Sequence, residues 1–125
     1  MVHTGPRLLM LDDDPNVREV VSALLTAIGY DCQTAAGGRA GLLRLNEGGW
    51  DLVLTHVTMS EGTGWDVVEA IRRRAPATRV VLITGLDAPD LVRRARELGA
   101  LVITKPFDLQ TLKAALIESL YAKLA

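Results

Sequence analysis

Residues 8–15 read Leu8-Leu9-Met10-Leu11-Asp12-Asp13-Asp14-Pro15. Four consecutive apolar side chains cannot alternate between a wet face and a dry one. The run therefore predicts a short strand covered on both sides, as in a parallel sheet. Three acids break it. Asp14 followed by Pro15 predicts a helix cap and the first helical position: the carboxylate accepts from orphan N–H groups, and proline's missing N–H costs nothing there. Strand, acidic turn and helix start make a β-α unit, and the rest of the chain repeats it.

Val17, Val20, Val21, Leu24, Leu25 and Ile28 recur at helical spacing, and Gly29 ends the segment. Residues 30–35 predict a second strand, and 38–46 a helix with Leu42, Leu43 and Leu45 as its apolar residues. Leu52-Val53-Leu54-Thr55 predicts a third strand and residues 59–63 a loop. Trp65, Val68, Ile71 and Ala75 form the stripe of a third helix, ending before Pro76. Val80-Val81-Leu82-Ile83 is a fourth strand, followed by a helix over 89–98 on Leu91, Val92, Ala95 and Leu98, closed by Gly99. Leu101-Val102-Ile103 is a fifth strand, and Asp108 caps a last helix carrying Leu109, Leu112, Leu116, Ile117 and Leu120. Strands joined by helical crossovers pair in parallel with right-handed connections. The expectation is one α/β domain over residues 1–125, with helices on both faces of a five-stranded sheet.

Composition narrows the function. The 14 basic and 15 acidic side chains nearly cancel, which argues against a protein that coats nucleic acid or an anionic membrane. Cys32 is the single cysteine, so there is no internal disulfide and no cysteine cluster for zinc; a small buried hydrophobe is expected there. Residues 1–7 lack the apolar stretch of a secretory signal and 8–11 are too few to supply one. With no membrane-length segment either, the expected location is the cytoplasm.

Polar residues gather where strands end: Asp12 and Asp13 after the first, His56 after the third, Thr84 at the end of the fourth, Lys105 after the fifth. In an open parallel sheet these ends share one edge, and ligands bind there where the strand order reverses. Singly, each residue reads equally well as a solvated loop or strand-end group. Four strand ends together point to one pocket. Adjacent carboxylates at 12 and 13, ahead of a separate cap, have no evident local partner, and a cation or basic neighbour would relieve their repulsion.

Over nearly its whole length the chain resembles the receiver domain of two-component response regulators. The resemblance is carried by residues 9–15, by 51–56 with Met59 and Gly64, by 80–85, and by Lys105-Pro106-Phe107; Gly64-Trp65-Asp66 resembles receivers attached to hybrid histidine kinases. It implies a (βα)5 flavodoxin-like sheet of order 2-1-3-4-5. It also implies that Asp12 and Asp13 hold magnesium and that an aspartate ending the third strand takes a phosphoryl group from a phosphohistidine donor. Thr84 and Lys105 would then bind the phosphoryl oxygens. The cation and the lysine offset charge during such a transfer.

The chain departs from that pattern. The acceptor position is His56, the usual proline after Met59 is Ser60, and Val102 stands where an aromatic residue commonly reports phosphorylation. Residues 99–105 are also one residue short of the commonest form. Two carboxylates and Lys105 leave one negative charge, which a protonated His56 would remove; nearby carboxylates favour that protonation, while Lys105 and burial oppose it. Weak or absent magnesium binding is expected. His56 then has four readings: a pseudo-receiver held by an internal His–Asp contact, an ordinary phosphoreceiver with its aspartate replaced, a transition-metal site of His56, Asp12 and Asp13, and phosphorylation on His56 itself. Thr55 and Thr58 lie nearby, and the spacing marks neither as an acceptor.

The expected function is signalling through protein–protein contact, with a histidine kinase or another signalling protein as partner and no direct contact with nucleic acid or membrane. The face formed by the fourth helix, fifth strand and fifth helix could pair two copies; Arg93, Arg94 and Arg96 lie on or near it, and Arg72, Arg73 and Arg74 read as a solvated surface. The competing enzyme reading is a haloacid-dehalogenase-like phosphatase, with Asp12 as nucleophile and Asp14 as general acid. Thr84 and Lys105 would fit its next motifs, but its later acid pair and its cap are missing. A nucleotide- or flavin-binding role meets three acids where a phosphate cradle should be, and Gly37-Gly38 follows the wrong strand.

Overall fold

Each β-α repeat becomes one strand and one helix. The computed structural model describes residues 5–57, 63–85 and 89–121. Its elements are β1 (Arg7–Leu11), α1 (Pro15–Ala27), β2 (Asp31–Ala35), α2 (Gly37–Leu45), β3 (Leu52–His56), α3 (Gly64–Arg74), β4 (Arg79–Thr84), α4 (Pro89–Glu97), β5 (Leu101–Thr104) and α5 (Leu109–Tyr121). All strand pairs are parallel, in the order β2-β1-β3-β4-β5. This is the expected flavodoxin-like order.

The sheet is buried between two helix layers. Leu8 and Met10 of β1 pack with Leu25 of α1 and with Leu112 and Leu116 of α5. Leu9 and Leu11 pack on the other side with Leu45 of α2, Val67 and Val68 of α3 and Ala95 of α4. Because both faces are covered, Leu8, Leu9 and Leu11 are 0% exposed and Met10 1%, and the run needs no polar alternation.

The helix stripes are narrower than the sequence suggests. Leu25 is the buried residue of α1, while Val20 and Leu24 are exposed, as are Leu43, Leu109 and Ile117. A helix on a sheet hides only the sector facing it. In α3, Val67 and Ala70 join Val68 and Ile71 in the core, and Trp65 is half-buried. Glycine-rich α2 lies close on β1: a Cβ on Gly41 would come within 2.5 Å of the Leu11 side chain. Close packing thus favours glycine at a position where intrinsic helix propensity does not.

The caps follow expectation. The Asp14 carboxylate accepts from Asn16 N at 2.9 Å and Asp108 from Thr111 N at 2.7 Å. A capping box starts α3: Thr63 N donates to the Asp66 carboxylate at 2.9 Å, and Asp66 N returns a bond to Thr63 Oγ1 at 3.4 Å. The loop expected over 59–63 lies outside the described residues except for Thr63, as does Thr58. Cys32 is half-buried rather than fully buried. Among the described residues no helix is long and apolar enough to cross a membrane.

Candidate functional site

The ladder registers bring the polar strand ends together. Leu11 pairs with Thr55 across β1 and β3, so the residues that follow, Asp12 and His56, are neighbours. His56 pairs with Ile83 on β4, and Thr84, next along, pairs with Thr104, just before Lys105. Thr84 is buried, and its carbonyl accepts from Lys105 N at 2.8 Å. The rim therefore assembles as the β-α pattern predicts.

The closest contact is between His56 Nε2 and Asp12 Oδ2, 2.6 Å apart. Both atoms are shut off from solvent, yet neither makes an aligned hydrogen bond. The contact is close but out of line, since hydrogen-bond strength falls steeply with angle. The other Asp12 oxygen, Oδ1, accepts from Asp14 N at 2.9 Å, and the Asp12 carbonyl accepts from Arg18 Nη1 at 2.7 Å. The Asp12 carboxylate thus has one local hydrogen-bond donor, from the turn into α1, and Arg18 of α1 ties down the Asp12 main chain. Asp13 is exposed.

Burial is the largest influence on His56 and holds its imidazole below the usual value. The Asp12 charge works against this, Lys105 works with it, and Asp13 opposes it more weakly. The ring is therefore neutral near neutral pH. This corrects the charge count that relied on a protonated His56; the additional positive charge near the acids is Arg18. Sequence reasoning passed over Arg18. The one available clue was a cation close to a helix N-terminus, where the macrodipole disfavours it unless it has a partner.

The backbone of His56 is confined. Thr55 Oγ1 donates to the His56 carbonyl at 3.1 Å, Val57 N donates to Ile83 O at 2.9 Å, and Gly64 N donates to Val57 O at 2.8 Å. A Cβ on Gly64 would lie 2.5 Å from the His56 carbonyl oxygen, so only glycine lets α3 start against the end of β3. Beside Lys105 a depression of about 510 Å³ is lined by Gly85, Lys105, Pro106 and Phe107. This depression therefore lies at the β5 end of the rim.

As arranged, these residues do not fit a magnesium ion. Magnesium needs reachable carboxylate oxygens and room for waters, whereas Asp12 Oδ2 is shut off from solvent with His56 Nε2 2.6 Å away, and Oδ1 accepts from Asp14 N. Among the described residues no three His, Cys, Asp or Glu side chains are grouped as a ready metal-ligand set. On the far helix layer, Arg94 stacks 4.3 Å from the Trp65 ring centroid and Arg93 pairs with Asp90. Two of the arginines expected on a partner face are therefore engaged within the chain.

With fold and rim in place, the comparisons with known proteins agree. The family model described as the response regulator receiver domain matches residues 8–117, and the chain belongs to that family. It is 32% identical over 121 residues to the transcriptional regulatory protein GlrR of Escherichia coli K12, covering 96% of this chain and 27% of GlrR. It thus spans about a quarter of that relative. Among solved structures it is similar to the chemotaxis response regulator CheY4 of Vibrio cholerae, with TM-score 0.85 and 29% identity over 93% of this chain and 99% of that one. It is also similar to the response regulator TrrA of Thermotoga maritima, solved with magnesium and BeF, with TM-score 0.80 and 27% identity over 90% of this chain and 97% of that one.

Proposed function

We propose that the chain is a single receiver unit that does not take a phosphoryl group in the usual way and signals by protein–protein contact. The observation that carries this reading is the 2.6 Å approach of His56 Nε2 to Asp12 Oδ2 at the position where the family's acceptor aspartate would stand. A neutral, buried imidazole there offers no carboxylate nucleophile, and the engaged Asp12 supports weak or absent magnesium binding. Thr84 and Lys105 keep the positions of phosphoryl contacts without an acceptor to serve. The partner is a histidine kinase or another signalling protein, met in the cytoplasm, with no nucleic acid bound by residues 1–125 themselves. The face of α4, β5 and α5 is the surface on which a second copy would pair.

The phosphatase reading is less well supported. It needs Asp14 as a mobile acid, whereas that carboxylate caps α1.

The test is incubation with acetyl phosphate or phosphoramidate plus magnesium, followed by intact mass. The unaltered chain is expected to gain no stable adduct, and His56→Asp to gain one phosphoryl group. Labelling of the unaltered chain would overturn the proposal.

A further inference from the structure

We infer, building on the reading just given, that His56 is a plug. Its imidazole takes the place at Asp12 Oδ2 that a hard cation would need. Exclusion of the cation then follows from occupancy of the pocket, not from the loss of one carboxylate ligand.

The argument runs through the two oxygens of Asp12. Oδ1 receives the Asp14 N–H at 2.9 Å, which leaves Oδ2 as the Asp12 oxygen without a hydrogen bond. His56 Nε2 sits 2.6 Å from it, and solvent reaches neither atom. Magnesium binds oxygen at about 2.0–2.1 Å and keeps several waters around itself. No ion fits between atoms so close, and no water shell fits in a sealed contact.

The ring is held there from behind. The β3–β4 ladder fixes the His56 main chain, and Gly64 abuts its carbonyl. Arg18 Nη1 holds the Asp12 carbonyl at 2.7 Å and brings a positive charge that further disfavours a cation. Removing the ring would uncover Oδ2 beside Asp13 without adding any ligand.

That last point makes the inference testable. Magnesium chloride is titrated by calorimetry into the whole chain, unaltered and as His56→Ala, His56→Val and His56→Asp, with far-UV circular dichroism to establish folding. His56→Ala is expected to bind magnesium about ten- to a hundredfold more tightly than the unaltered chain, the usual scale of a neighbouring group's effect on metal affinity. His56→Val, which keeps a strand-forming side chain, carries the same comparison if the alanine variant does not fold. Tighter binding by His56→Asp alone would overturn the plug and leave ligand number as the explanation, with the non-acceptor reading intact. Equal binding by the unaltered chain and His56→Ala, or no binding by any variant, would overturn it as well. Failure of the underlying reading shows elsewhere, as a phosphoryl adduct in the mass of the unaltered chain.

Discussion

The two ends of the sheet handle polar groups in opposite ways. At the amino ends, Arg7 N donates to Asp51 Oδ2 at 2.8 Å, Arg7 Nη1 to Gly48 O at 3.0 Å, and the guanidinium lies 4.2 Å from the Trp50 ring centroid. Trp50 Nε1 donates to Arg44 O at 2.9 Å and Thr78 Oγ1 to Trp50 O at 2.7 Å. These donors meet aligned acceptors around one buried aromatic residue, and of the neighbouring Arg44 guanidinium Nε alone is buried without a hydrogen-bond partner. At the carboxyl ends, the buried pair of Asp12 and His56 is close and misaligned. The first arrangement stabilises the fold. The second holds buried polar groups whose bonding is incomplete, as is typical where a site has been kept for something other than stability.

The comparison is broken or sharpened first by Trp50→Ala, which should lower stability by about 3–5 kcal/mol in chemical denaturation. Removing His56 at the other end should cost less than about 1 kcal/mol, because a misaligned contact contributes little. Equal losses would erase the distinction between the two ends. Thr78→Val should cost about 1–3 kcal/mol by leaving the Trp50 carbonyl without its donor; a loss near zero would mean that this network is ornamental.

A pH series separates the ends without touching the amino side. Since burial depresses His56 in the folded chain, the unfolded chain binds a proton at a pH where the folded one does not. The neutral ring's contribution is complete above about pH 6.5 and is lost as pH falls from there through the lower folded-state value. The denaturation midpoint should therefore drop between about pH 8 and about pH 5. His56→Asn should flatten that drop, and an identical slope in both chains would contradict it. Asp14→Ala should cost about 1 kcal/mol by uncapping α1, leaving the amino-end network unchanged in thermal unfolding.

Much of this was legible in the sequence because burial on both faces writes itself as unbroken apolar runs. Val80 to Ile83 and Leu8 to Leu11 could be read directly as strands, and Asp14, Asp108 and the Gly29 and Gly99 stops as helix ends. The strand ends were harder. His56, Thr84 and Thr104 belong to the ladder, but hydropathy sees only polar residues after an apolar run. Tyr30, in the stretch expected as the second strand, is buried ahead of β2, packed with the α1 and α5 side of the core. The meeting of Asp12 with His56 followed from topology, while its alignment, the bracing by Arg18 and the neutral ring depend on angles and burial that no spacing encodes. Leu43 and Ile117 show the same limit: helical spacing gives a face, and only the neighbouring element decides how much of that face is covered.

The glycine at the start of α3 has a mechanical consequence. With no side-chain atoms between Gly64 and the His56 carbonyl, the strand end and the helix start meet backbone to backbone, without a compressible layer. The next residue, Trp65, is stacked against Arg94 of α4. Position 56 is thus joined to α3 by backbone contact and, through that aromatic clasp, to α4.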